Sequence, residues 1–361
     1  MNIKQALKKI KRRLVNSSVA SFFWYVVRGW KYSIPMLFYG MKAIDPNRVV
    51  FISFSSGRYA DNPRAIAEKL HELYPEHEIW WGINKYESES SFPDFVNVIR
   101  NDGQKWLKLL ATSGVWISNW LLPQGYLKRK GQLYIQTWHG DRGFKKVMFD
   151  AEQDNVEYRR RHKFRRIIET KICDLGISGS EYGTMQFRSA MRYKGKMLEK
   201  GTPRDDCLIN LTEEKAIAIK EKLQIDPAAK VFMFAPTFRA ETKGKQKVND
   251  QLDLVEVLDE LEKKTNGKWI CIVRAHAGFN FSERFTDGRI TDYTLYPDMA
   301  DLLCITDLLL TDYSSTPGDF ALTGKASILF QDDLEEYVSN DRTLYFDMAK
   351  SPLWWRTRKR N

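Results

Sequence analysis

Between residues 48 and 330, short apolar runs alternate with longer stretches whose apolar positions recur every three or four residues. The runs R-V-V-F-I-S-F (48–54), E-I-W-W-G-I (78–83), V-N-V-I-R (96–100), V-W-I-S-N (115–119) and D-L-G-I-S (174–178) predict strands. L-Y-I-Q-T-W-H-G (133–140) predicts a strand and then a turn. Helices are predicted between them over 61–73, 105–113, 152–171 and 181–190, the first with Asp61 or Asn62 as N-cap and Pro63 in its first turn.

A second series follows G-T-P-R-D-D (201–206). Its predicted helices cover 212–223, 250–264, 298–306 and 316–323, and its predicted strands 231–237, 269–276, 307–312 and 326–330. Two successive series of this kind predict an α/β protein of two doubly wound, Rossmann-like halves. Such sheets bind ligands outside the carboxyl ends of their strands, so a cleft between the halves is expected.

The first 48 residues carry ten Lys or Arg against the single acid Asp45, and the last eleven add Arg356, Arg358, Lys359 and Arg360. Ile3, Leu7, Ile10 and Leu14 form one apolar stripe on a basic helix. The aromatic stretch 21–40 follows, broken by Arg28, Lys31 and Pro35, and its apolar run is too short to span a bilayer. This pattern predicts an interfacial anchor on an anionic membrane rather than a spanning helix or a cleaved signal. The alternative is a helix packed on its own domain with a solvated basic face. The middle of the chain is nearly neutral apart from R-R-R-H-K-F-R-R (159–166), which reads as a solvated face and not as a nucleic-acid surface. Cys173, Cys207, Cys271 and Cys304 lack C-x-x-C spacing, which argues for a reducing compartment and against a disulfide framework or zinc site.

Candidate chemistry gathers at the predicted strand ends. The run D-L-L-L-T-D-Y-S-S-T-P-G-D-F (307–320) leaves a buried strand at Asp312 and presents Ser314, Ser315 and Thr316 before a helix with Pro317 in its first turn. Backbone N–H groups and hydroxyls converge there as an anion site, with Asp319 placed to orient a hydroxyl or sugar. An ordinary capped helix would look the same. Other strand ends carry His139 and Gly140 (Q-T-W-H-G, 136–140), Arg239 (A-P-T-F-R, 235–239), and Arg274 and His276 (R-A-H, 274–276). Arg204 and Asp206 lie at the junction of the halves. His71, His77 and His162 sit in polar surroundings and read as surface residues, whereas His139 and His276 terminate strands, one in each half.

With these motifs assembled, the sequence resembles the CDP-glycerol glycerophosphotransferase family of teichoic-acid primases and polymerases. The resemblance rests on Q-T-W-H-G, G-T-P-R-D-D, A-P-T-F-R, R-A-H, Y-P-D-M-A-D-L-L-C-I-T-D-L-L-L-T-D-Y-S-S (296–315) and D-F-A-L-T-G-K (319–325). F-I-S-F-S-S-G-R-Y-A-D-N-P-R-A-I (51–66) is similar to the family's first strand-turn-helix. The resemblance covers about residues 48–348. It implies a GT-B fold and transfer of glycerol phosphate, or a related alditol phosphate, from CDP-glycerol or another CDP-alditol. The acceptor would be a hydroxyl of a membrane-bound saccharide lipid or polymer, at the cytoplasmic face of the membrane, with release of CMP.

On this reading His139 and His276 are the catalytic pair, one a general base and the other a stabiliser of the leaving charge, the assignment between them open. Arg239, Arg274, Ser314, Ser315, Thr316 and Asp319 would bind the donor, supported by Gly140, Arg204, Asp206 and Asp312. No protein-bound metal or other cofactor is expected, although magnesium could travel on the donor pyrophosphate. The expected organisation is a membrane-associating segment 1–44, an acceptor-side domain 45–205, a donor-side domain 206–350 and a short basic tail 351–361. Family members usually continue with helical sequence where this chain ends. The rival readings are a GT-B glycosyltransferase using a nucleotide-sugar and a C-terminally truncated, inactive accessory protein.

Overall fold

The computed structural model describes residues 18–151, 156–237, 252–275, 285–340, 343–347 and 354–356. The chain divides into two compact units. The first comprises residues 1–141, 148–150 and 154–203; the second comprises 142–147, 151–153 and 204–361. The division falls after Pro203, two residues before the expected boundary, and residues 142–147 pack with the second unit. Lys145 bridges to Leu344, Lys146 donates its N–H to the Thr343 carbonyl, and the Phe144 ring meets Phe346 edge-on at 5.5 Å.

The first unit is built on seven parallel strands: β1 (Asp45–Ile52), β2 (Glu78–Ile83), β3 (Val96–Arg100), β4 (Ser113–Ser118), β5 (Leu133–Gln136), β6 (Leu175–Ser178) and β7 (Lys196–Glu199). Their spatial order is β3-β2-β1-β4-β5-β6-β7. Side chains alternate between two buried layers. Val50, Ile52, Trp116 and Tyr134 face one, with the helix Gln104–Thr112; Val49, Phe51, Trp81 and Ile117 face the other, with the helix Asp61–Leu73. The order reverses between β1 and β4, which is the switch point where such sheets bind ligands.

The second unit repeats the plan with β8 (Lys230–Ala235), β9 (Trp269–Val273), β10 (Ile290–Asp292), β11 (Leu308–Thr311), β12 (Ala326–Phe330) and β13 (Trp354–Arg356) in the order β10-β9-β8-β11-β12-β13. Its switch point lies between β8 and β11. Val231, Met233 and Leu309 pack on one face; Phe232, Phe234 and Leu310 pack on the other with the helix Leu254–Thr265.

Three edge strands escape the sequence pattern. β7 and β10 are short and half polar, so they carry no alternation to read. β13 lies within the segment expected to be a basic tail, and it extends the sheet in parallel beside β12.

The aromatic stretch near the amino terminus also differs from expectation. It forms one helix, Ser18–Tyr39, running through Pro35. An interior proline costs a helix about 3 kcal/mol, so tertiary packing must hold this one. Gly29 packs directly on Gly125, where a Cβ on Gly125 would come within 2.3 Å of the Gly29 carbonyl oxygen. Ser33 donates to the Gly125 carbonyl at 2.9 Å, Tyr32 meets Tyr126 edge-on, and Met36 is buried. This helix is therefore part of the first unit rather than a separate segment. No described helix is long and apolar enough to cross a membrane. The amphipathic stripe at Ile3–Leu14 lies outside the described residues.

Candidate active site

In the first unit the site grows from the carboxyl ends of β1, β4 and β5. His139 follows β5 by three residues and is half-buried. Its Nδ1 lies 2.7 Å from the backbone carbonyl of Asn119, which follows β4. A carbonyl only accepts, so Nδ1 carries a proton, and in the neutral ring Nε2 is the basic nitrogen. Three half-buried aromatic rings surround the imidazole: Trp120 stacked at 5.1 Å, Trp138 tilted at 4.1 Å and Phe54 at 5.6 Å.

The backbone around His139 is unusual. Phe54, Asp61 and Trp138 all have positive φ, at 47°, 63° and 53°. Bulky residues rarely adopt that conformation, and such strain gathers where a site needs it. Each is held by a buried or local polar bond. The Phe54 N–H donates to Asn119 Oδ1 at 2.7 Å, and Asn62 N–H to Asp61 Oδ1 at 2.6 Å. Trp138 donates its N–H to Gln136 Oε1 at 2.9 Å and accepts from Asn62 Nδ2 at 3.1 Å.

Two residues beyond His139, Asp141 anchors the loop. Its carboxylate accepts from the Gly179 N–H at 2.8 Å and from Ser180 Oγ at 3.2 Å, at the start of the helix Glu181–Met191. A negative charge is favoured there.

In the second unit Asp312 joins the ends of β8 and β11. It accepts from the N–H and Oγ1 of Thr237, at 2.9 and 2.8 Å, and from the N–H of Tyr313. Ser314 Oγ bonds Thr316 Oγ1 at 2.7 Å and accepts from the Thr316 N–H at 3.2 Å. The Ser315 side chain makes no capping bond. The helix expected over 316–323 is five α-helical residues, Thr316–Phe320, followed by a single 3₁₀ turn, Ala321–Thr323. So short a helix contributes little macrodipole, and the loop's own N–H groups and hydroxyls carry any anion binding.

Close to this loop, where Gly318 packs on Arg142, lies a cluster of four charges, three of them buried. Arg142 bonds both Asp205 and Asp319, the latter at 2.8 Å, while Arg204 bonds Asp319 through Nη2 at 2.9 Å. Both Asp319 oxygens are thus committed to guanidinium groups, not offered to a sugar as the sequence suggested. Arg204, expected to support the donor site, is buried in this cluster. Of the adjacent acids, Asp205 is buried and Asp206 is exposed, which corrects the choice of Asp206. The 3₁₀ turn Pro203–Asp205 carries Asp205 inward, and Asp206 opens the next helix on its solvent side. Arg274 bonds the Thr294 carbonyl on the segment after β10. Gly140 lies half-buried in the loop after His139. Arg239 and His276 lie outside the described residues.

Residues 35–353 match the model of the family described as CDP-Glycerol:Poly(glycerophosphate) glycerophosphotransferase. The chain belongs to this family. It is 32% identical to the teichoic acid poly(glycerol phosphate) polymerase of Bacillus subtilis (strain 168) over 352 residues, which are 95% of this chain and 45% of that protein. Against the polymerase of the same name from Bacillus spizizenii W23 it is again 32% identical, over 88% of this chain and 82% of the other. Among solved structures, the wall teichoic acid polymerase TagF superposes with a TM-score of 0.76 at 26% identity, covering 92% of this chain and 85% of that one. The GT-B-like assignment made from sequence therefore holds for this family member. Gln136, Asn119, Asp141, Arg142 and Asp205 are site residues that the sequence reading missed. Gln136 and Asp205 lie inside quoted motifs and Asn119 ends a quoted strand, but none of the five stands out until the fold brings them together.

Proposed function

We propose that this glycerophosphotransferase-family chain moves glycerol phosphate, or a related alditol phosphate, from a CDP-alditol to a hydroxyl of a membrane-bound saccharide lipid or growing polymer. The observation that carries the reading is the contact of His139 Nδ1 with the Asn119 carbonyl, which selects the tautomer whose Nε2 can act as a base. Family membership supplies the donor class.

In this reaction the acceptor hydroxyl attacks the phosphorus that bears the alditol. The bond from that phosphorus to the CMP oxygen breaks, and the hydroxyl proton passes to His139 Nε2. CMP leaves with the bonding pair. The N–H groups and hydroxyls of Ser314, Ser315 and Thr316 are assigned to the donor pyrophosphate, with Arg239, Arg274 and His276 meeting the developing charge. Magnesium, where present, would arrive on the donor.

The same proposal places the protein peripherally on the cytoplasmic face of the membrane. Support comes from the helix Ser18–Tyr39 and its flank, where Phe23, Trp30, Ile34, Leu37, Phe38 and Met41 are all at least 49% exposed. They recur at helical spacing, with Arg28 and Lys31 between them and Lys42 directly after.

The test is CMP release from CDP-glycerol and from CDP-ribitol with a membrane lipid extract as acceptor. CMP from either donor is expected, and His139→Ala should lower turnover by about 10²-fold or more. Near-normal turnover in His139→Ala would remove His139 as the base. Release of a nucleoside diphosphate from a nucleotide-sugar instead would make the protein a glycosyltransferase.

A further inference from the structure

We infer that Gln136, oriented by the buried carboxylate of Glu169, is a positioning residue for His139. Gln136 is 2% exposed and Glu169 4% exposed. The Gln136 amide reaches both tryptophans that contact the imidazole. Its Oε1 accepts from the Trp138 N–H at 2.9 Å, and its Nε2 donates to the Trp120 carbonyl at 3.1 Å. One side chain therefore ties together the backbones on which two of the rings against His139 are carried.

An amide has a donor end and an acceptor end, and reversing it would break both bonds. Glu169 decides the orientation. Its carboxylate accepts from Gln136 Nε2 at 3.0 Å, from the Leu122 N–H at 3.0 Å and from the Tyr134 hydroxyl. The NH₂ end of Gln136 must face that acceptor, so Oε1 faces Trp138. That bond holds Trp138 at its φ of 53°, and the next residue is His139. Glu169 is a titratable group, buried away from substrate, for which the proposed reaction has no chemical use. Its place behind Gln136 gives it one.

The test follows the imidazole tautomer of His139 by ¹⁵N NMR on the full-length chain, with His139→Ala assigning the resonance. The wild type should show Nδ1 protonated. Gln136→Met, similar in length and without polar atoms, should let the ring mix tautomers. Turnover should fall about tenfold or more with KM for donor and acceptor nearly unchanged, because geometry rather than binding is lost. Tyr193→Phe is the control: it removes a buried hydroxyl bond to Lys196 in the same unit and should leave the tautomer as it was. A wild-type tautomer and rate in Gln136→Met would overturn the inference. Should that variant fail to fold, hydrogen exchange of the wild-type Trp138 amide decides: slow exchange supports the bond to Gln136, and exchange at the rate of an open loop refutes it. The turnover arm rests on His139 as the proposed base. The tautomer arm does not, so an incorrect function and an incorrect positioning role give different results.

Discussion

Replacing Gly183 by alanine should destabilise the protein, although the same change in a helix ordinarily stabilises it. Gly183 is the third residue of the helix Glu181–Met191, and its N–H is capped by Ser180 Oγ at 3.0 Å. Glycine to alanine in a helix is worth about 1 kcal/mol in favour of alanine. Here, however, the new Cβ would lie 1.9 Å from Asp141 Oδ1 and 2.5 Å from its Cγ. No rotamer change at residue 183 relieves that clash, because Cβ is fixed by the backbone. The Asp141 carboxylate must leave its place at the helix start. It forfeits a charged hydrogen bond from Gly179, worth roughly 1.5–3 kcal/mol, and a helix-terminus interaction of about 0.3–1 kcal/mol. Set against the propensity gain, the net loss is about 2 kcal/mol.

The sign should reverse once the carboxylate is gone. In an Asp141→Ala background the three atoms nearest the new Cβ are gone, and Gly183→Ala should stabilise by up to about 1 kcal/mol. The double-mutant cycle then gives a coupling of about 3 kcal/mol, at the upper end for residues in contact. Urea denaturation of the four proteins measures it. A Gly183→Ala single variant as stable as the wild type would show that Asp141 is not held at this helix start. Because Asp141 follows His139 by two residues, turnover of the single variant should fall as well.

Asp205→Asn should cost about 3 kcal/mol by leaving buried guanidinium charge uncompensated, whereas Asp206→Asn should stay within about 0.5 kcal/mol; equal effects in thermal denaturation would contradict the assignment of the inward acid. Burial raises the Glu169 carboxyl above its ordinary 4.5. The folded state therefore holds that proton more tightly, so this group's contribution is fully present below pH 4.5 and is lost as pH rises through the folded value. In urea titrations the stability of the wild type relative to Glu169→Gln should fall as pH rises above 4.5, and a pH-independent difference would contradict it. Ile34→Glu with Leu37→Glu should release the protein from anionic liposomes without lowering its melting temperature, since both side chains are exposed; unchanged sedimentation would remove this face as the anchor.

The central strands were legible because burial on both faces leaves a continuous apolar run. F-M-F-A after Val231 and L-L-L-T before Asp312 read as strands without any partner in view. The same reasoning fails at the sheet edges. Lys196–Glu199 is mostly exposed, so its side chains obey solvent rather than a core, and only pairing with β6 makes it a strand. It fails again at Ser18–Tyr39, where Pro35 argues locally for a break. The contact that overrides it, Gly29 on Gly125, joins residues 96 positions apart that no local window sees together.

The site divides along a similar line. Strand-end histidines can be found from sequence because position alone marks them: His139 follows a strand and precedes a glycine. Partners cannot, because hydrogen bonds form in space. Nothing local distinguishes Asp205 from Asp206, and only a turn that buries one of them decides which joins Arg142. Asp319 looked placed to orient a hydroxyl or sugar, yet two guanidiniums from distant segments meet it. Gln136 is the instructive case. It stood in a motif already singled out, but an amide in a strand is ordinarily ladder or surface. Its role appears only when Glu169, 33 residues later, is seen to turn its acceptor end toward Trp138. What sequence yields is the group that does the chemistry; what it hides is the buried polar chain that sets that group's direction.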